Sequence, residues 1–169
     1  MAFTGSTTYK DGTVLTSVVD DRTVPDSLAL ERKTTWTDGT GANQAQTRFH
    51  DERTLASSGV DNLDFNDASN ALKDVFGVAL QLTAIKSLVI HNKSGNGAAM
   101  SVGPPGANGW ITAMAASDVM AIRDGGLFVI EDPTAAGYVV TAGSGDLFTI
   151  TNLDGSVSLT YSITIIGLI

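Results

Sequence analysis

The chain has 169 residues, 43% of them hydrophobic, with 10 Lys and Arg against 18 Asp and Glu, so its formal charge is −8. That is enough apolar material for one domain with a core, and too little positive charge for a non-specific nucleic-acid binder or an anionic-membrane binder. Without cysteine there are no disulfides, thiolate metal sites or cysteine nucleophiles, and two histidines, His50 and His91, make a multi-histidine metal centre a poor expectation.

The start of the chain has neither a basic leader nor an apolar run, which points to synthesis in a cytoplasm without a secretory signal. The longest apolar tract, Ile163 to Ile169, is far short of the roughly 20 residues that span a bilayer. Residues 1–93 hold nine of the ten basic side chains and a net charge of −3; residues 94–169 hold only Arg123 and a net of −5. A polar, irregular N-terminal region thus precedes a sheet-forming one.

In chain order, residues 1–10 lack a core-forming pattern and read as a flexible arm. Looser strands follow at Thr13 to Val19, Arg32 to Trp36, and Ala45 to Phe49 running towards Leu55, with a turn at Thr37 to Gly41 joining the last two. From Asn66 to Phe76, the apolar residues Ala68, Ala71, Leu72, Val75 and Phe76 follow helical spacing, with Gly77 able to end the helix; a structured loop is the alternative. Strands are then expected at Ile85 to His91, Ala98 to Val102, Trp110 to Ala113, Val119 to Arg123, Gly126 to Glu131 and Tyr138 to Thr141. Turns rich in Gly, Pro and Asn separate them. Asp124-Gly125-Gly126 reads as a hairpin turn.

The C-terminal signal is the clearest. From Val157 to Ile165 every odd position is apolar and every even one is Ser or Thr, a period of two that puts the apolar set on one face. Leu147 to Asn152 is a second strand, and Leu153 to Ser156 between them reads as a hairpin turn. The expected fold class is all-β, an antiparallel β-sandwich (jelly-roll-like) with an irregular N-terminal arm and at most one short helix. Residues 1–60 are expected to form the arm and extended segments, and residues 61–169 the sandwich.

Candidate chemistry has plain readings. Asn62, Asp64 and Asn66 alternate like the start of a calcium loop, but Asp67 and Lys73 stand where that loop needs Gly and Glu. Leu63 and Phe65 then point inward from a strand with Asp64 outward. Gly39-Thr-Gly41 and Gly143-Ser-Gly145 lack the third glycine of a dinucleotide site and read as turns. His50 reads as solvated and His91 as a turn or edge residue. No Gly-x-Ser-x-Gly elbow marks a hydrolase. Asp51-Glu52 and Glu131-Asp132 read as solvated charge beside turns, Asn92-Lys-Ser94 as a sequon without consequence, and Trp36 and Trp110 as core or subunit-seam residues in preference to sugar platforms. No catalytic, cofactor or metal residue is assigned.

From Asn43 onward the chain resembles the capsid decoration, or cement, proteins of tailed bacteriophages. The similar features are Asn43-Gln-Ala45, Asp51-Glu-Arg-Thr-Leu-Ala56, Leu63-Asp-Phe65, Asp74-Val-Phe-Gly77, Ile85 to Asn92, Asp124-Gly-Gly126, Gly137 to Leu147 and the terminal Ile-Ile-Gly. The resemblance implies a non-enzymatic β-sandwich, homotrimeric, binding the major capsid protein on the outside of a virion head. It also implies an accessory contact with host-surface glycan and no catalytic residues. In that setting residues 1–60 would face the shell or a neighbouring subunit. A glycan-binding tip of a tail fibre or tailspike is the second expectation, and a glycosidase-like or metal-dependent sandwich the third.

Overall fold

A computed structural model describes residues 2–19, 22–66 and 72–169. Twelve strands follow in order: β1 (Thr4–Val19), β2 (Arg22–Asp38), β3 (Gln44–Ala45), β4 (Thr47–Leu55), β5 (Val60–Asp64), β6 (Ala84–Asn92), β7 (Met100–Gly103), β8 (Met120–Ile122), β9 (Leu127–Glu131), β10 (Tyr138–Val139), β11 (Leu147–Asn152) and β12 (Leu159–Leu168). No helix occurs among the described residues.

Two sheets make the sandwich. One runs β10-β6-β12-β4, with β9 continuing the β10 edge of β6; the other runs β5-β11-β7-β8. All pairs within them are antiparallel. The alternation at the C-terminus does what its period dictates: Leu159, Tyr161, Ile163 and Ile165 are buried, while Thr160, Ser162 and Thr164 lie on the outer face. Against them pack Leu63, Phe148, Ile150, Met100, Val102 and Ile122 from the second sheet, in one core with Phe49, Leu88, Ile90 and Trp110. Trp110 meets the Phe65 ring edge-on at 5.3 Å, a preferred aromatic geometry.

Two expected hairpins are arches instead. β11 and β12 belong to different sheets, as do β8 and β9. The turn residues are as expected: Asp154 Oδ1 accepts from Ser156 N at 2.8 Å and Val157 N at 3.1 Å. Alternation places each strand's apolar face inward, but inward faces exist on both sheets, so a turn between two alternating strands does not fix their pairing. Trp110 to Ala113, expected as a strand, contains no strand residue.

The N-terminal third departs furthest from expectation. Thr4 to Lys10 are strand, not a loose arm, and the two strands expected at Thr13 to Val19 and Arg32 to Trp36 are limbs of a single hairpin. It pairs without a break from Thr4↔Thr37 to Val19↔Arg22. Nor does the packing divide after residue 60: β4 pairs with β12 from Thr47 to Leu55 and contributes Phe49 and Leu55 to the core. Of the expected helix, 67–71 lie outside the described residues. Leu72 to Phe76 are not helical; they enter a tight turn bridged by Lys73 and Ala79.

Candidate interaction surface: the hairpin arm, its root and the cleft beside it

Opposite residues of an antiparallel pair share a face and successive residues alternate. One face of the β1-β2 hairpin therefore carries, from root to tip, Gly5/Trp36, Thr7/Thr34, Tyr9/Arg32, Asp11/Leu30, Thr13/Leu28, Leu15/Asp26 and Ser17/Val24. The root of that face is docked on the outside of the sandwich. Trp36 and Phe3 pack with Ala45 and with Ile166 on β12. Tyr9 lies beside Ser87 on β6, its hydroxyl buried without completing a hydrogen bond, and burial pushes its pKa up. Glu131 on β9 accepts from Thr7 Oγ1 at 2.5 Å and Thr34 Oγ1 at 2.6 Å and pairs with Arg32 Nη2 at 3.2 Å. Thr7 Oγ1 in turn accepts from Trp36 Nε1 at 3.2 Å.

Ile166, Ser87 and Glu131 stand opposite one another in one row of the sheet. The hairpin thus crosses the strands from β12 through β6 to β9 and leaves over the β9 edge. Beyond Tyr9 and Arg32, ten further residue pairs continue outward, a projection of roughly 34 Å at strand rise. Leu15, Val24, Leu28 and Leu30 on the docking face are all exposed there, Leu15 at 73%. Among the described side chains the opposite face exposes one large apolar residue, Val14, and it is crossed by the Lys10–Glu31 pair at 3.0 Å. The arm is amphipathic, and its apolar side continues the face that already packs at the root.

On the other side of the root, over β12 and β4, lies an open cleft of about 690 Å³ lined by Phe3, Arg48, Val75, Phe76, Ile166 and Ile169 among others. Its wall is the Asp74 turn. Asp74 Oδ1 accepts from Phe76 N at 2.8 Å and Val78 N at 2.9 Å, Leu80 N donates to Leu72 O at 2.7 Å, and Leu72 and Leu80 are buried beneath. This locked turn holds Val75, Phe76 and Val78 out in solvent, Phe76 at 66% exposure.

The sequence-singled residues are distributed as follows. His50 on β4 and His91 on β6 share the outer face of the five-stranded sheet, with Thr164 and Ser162 of β12 as their register partners between them. Asp51 accepts from Arg53 Nε at 2.9 Å and Glu52 pairs with Lys93. Arg53 also holds Asp61 at 2.9 Å, to which Tyr161 Oη donates at 2.5 Å; burial pushes the Tyr161 pKa up, and the Asp61 carboxylate adds to that. Glu131 corrects the expectation of solvated charge, its side chain being 3% exposed at the hairpin root. Leu63 and Phe65 point inward as expected. Asn62 accepts from Thr149 Oγ1 at 2.9 Å, and Asn66 N donates to Asp64 Oδ1 at 3.0 Å. Trp36 and Trp110 are both buried. Gly39 and Gly41 are turn residues closed on Gln44, whose Oε1 lies where a Cβ would sit, and Gly143 has φ 70° in its turn. Asn92 is buried, its Nδ2 donating to Ala98 O and Ile122 O. Sequence reasoning passed over Lys86, a buried bulge residue whose Nζ donates to Thr134 O and Ala135 O, and whose pKa burial lowers. Among the described residues no group of three His, Asp or Glu side chains stands close enough to hold a metal ion.

No protein-family model matches the chain, and no curated protein matches it. Among solved structures it is similar to PirA, with 10% identity and a TM-score of 0.37 over 72% of this chain and 95% of that one. It is also similar to a subunit of Bacillus endospore appendages, a family of disulfide-linked pili, with 14% identity and a TM-score of 0.34 over 72% of this chain and 88% of that one. At these scores neither likeness bears on what the chain does.

Proposed function

We propose that the chain is a structural assembly protein of the virion-decoration kind. It binds the major capsid protein on the outside of a bacteriophage head as a homo-oligomer, a trimer on the resemblance stated above, and stabilises the shell by adhesive area with no reaction chemistry. An accessory contact with host-surface glycan belongs to the same reading. The observation that carries it is the arm: a long amphipathic hairpin anchored at its root and uncovered beyond it. Exposed, flat, apolar strand pairs are an aggregation hazard that soluble monomers blunt or cover. A chain that retains one has a use for a covering surface, and a capsid lattice supplies such surfaces in symmetric repetition.

The glycan-binding tip has less behind it, because the two tryptophans it would use as platforms lie in the core and under the arm root. Quantitative mass spectrometry of purified virions tests the reading. A copy number comparable with that of the capsomers is expected. A few copies per particle would favour the fibre tip, and absence from the particle would overturn both.

A further inference from the structure

The arm and the cleft are complementary, yet one molecule cannot join its own. The arm leaves over the β9 edge while the cleft opens on the β12 and β4 side of the same root. Each is incomplete in the way the other supplies. The arm offers a ridge of Leu15, Leu28 and Leu30 that is exposed; the cleft is concave, of the size that takes several aliphatic side chains, and walled by a hydrogen-bonded turn that leaves Phe76 and Val78 exposed. Charge offers one local match. On the docking face of the arm Asp11 and Asp26 form no ion pair among the described residues, and they lie between Arg32 near the root and Arg22 at the tip. Arg48 in the cleft is exposed and forms no ion pair among the described residues; the carboxylates that share the lining, Asp38 and Asp74, accept backbone amides.

We propose that the arm of one copy seats its Leu15–Leu28–Leu30 face in the cleft of a second copy of this chain, with Arg48 meeting the arm's carboxylates. Two different patches meet, so the contact is head-to-tail, and it yields a ring when the rotation closes. This names the arm's partner within the assembly reading above and rests on it. It is tested on the isolated protein, so its failure is separable from a failure to find the chain on virions.

The absence of cysteine makes the test direct. Leu28→Cys on the arm and Phe76→Cys at the cleft are introduced in separate, differently tagged chains, co-expressed, purified and treated with a short bis-maleimide. Both positions are exposed, so neither change threatens the fold. The expected result is a mixed arm-to-cleft product as the main covalent species, lost when the arm chain also carries Leu15→Asp and Leu30→Asp. A dominant arm-to-arm product from the Leu28→Cys chain, or no covalent product at all, would overturn the proposal.

Discussion

Glu131 illustrates how a single side chain can hold an element in place. Its carboxylate receives two threonine hydroxyls and a guanidinium that come from the arm, from residues 97 and 124 positions away in the case of the threonines. Glu131→Ala leaves two partly buried hydroxyls without this acceptor, a cost of about 1–3 kcal/mol. We expect the urea midpoint to fall accordingly and amide exchange to accelerate from Thr4 to Tyr9, with little change at β11. Tyr161→Phe removes one hydrogen bond to Asp61, which keeps its Arg53 contact. The expected loss is about 1.5 kcal/mol by the same measurement. Asp124 ties the 94–97 turn through Gly97 N and Gly95 N, both at 2.8 Å, and Ser94 Oγ at 2.9 Å; those bonds hold its carboxyl below the usual carboxylate range. A depressed folded-state pKa stabilises the charged form. Its contribution is therefore complete above the ordinary aspartate pKa and disappears as pH falls through the lowered one. Exchange at the Gly95 and Gly97 amides, corrected for intrinsic rates, should stay slow at neutral pH and rise only below that range. Asp124→Asn should remove the pH step, and an unchanged step would disprove the assignment. The inward residues of the last strand were legible from alternation alone, whereas Glu131 was not. In Ile130-Glu-Asp-Pro133 an acidic pair before proline reads as a solvated turn, and only a distant hairpin laid across it makes it buried.

Elements were legible to the extent that their signal is local. Apart from the strand wrongly expected at Trp110 to Ala113, strand existence from Ile85 onward followed from β-branched runs between Gly- and Asn-rich turns, but sheet membership did not, because an arch and a hairpin use the same turn chemistry. The arm was hidden for a different reason. Most of its residues touch no core, so no burial constrains their pattern, and Thr-rich segments pair through backbone alone. Its energetics set what it can do. Leu15, Val24, Leu28 and Leu30 are already partly covered, so completing their burial is worth about 3–7 kcal/mol, some three fifths of the 1.5–3 kcal/mol each that full burial gives, against a cost of roughly 4–15 kcal/mol for fixing one molecule on another. One seated arm is marginal; several closing a ring or repeating on a lattice are not. Since the arm's outer part contributes nothing to the core, replacing residues 10–31 by Asn-Gly between Tyr9 and Arg32 should leave the monomeric sandwich intact. Without association, the melting temperature should shift by no more than about 3 °C, the effect of roughly 1 kcal/mol in a chain this size. A collapse in melting temperature would show that the arm is part of the folding unit.

For the whole molecule, composition and spacing were sufficient to place it among all-β sandwiches, because that conclusion needs only period-two faces and frequent turns. Where the molecule divides was not legible. The change from polar to β-rich composition near residue 60 suggested a boundary, yet β4 before it is flanked by β12 and holds Phe49 and Leu55 in the core. What stands apart is the outer hairpin. The acidic surface and the uncovered arm describe one design: net negative charge limits indiscriminate sticking, and a localised apolar ridge reserves association for one geometry. The central claim is that this ridge drives assembly. Molar mass by light scattering, on the full chain and on the form shortened between Tyr9 and Arg32, tests it most directly. The account predicts a full chain at a closed multiple of 17.5 kDa and a shortened form at monomer mass under the same conditions. Equal states of association for the two would contradict it.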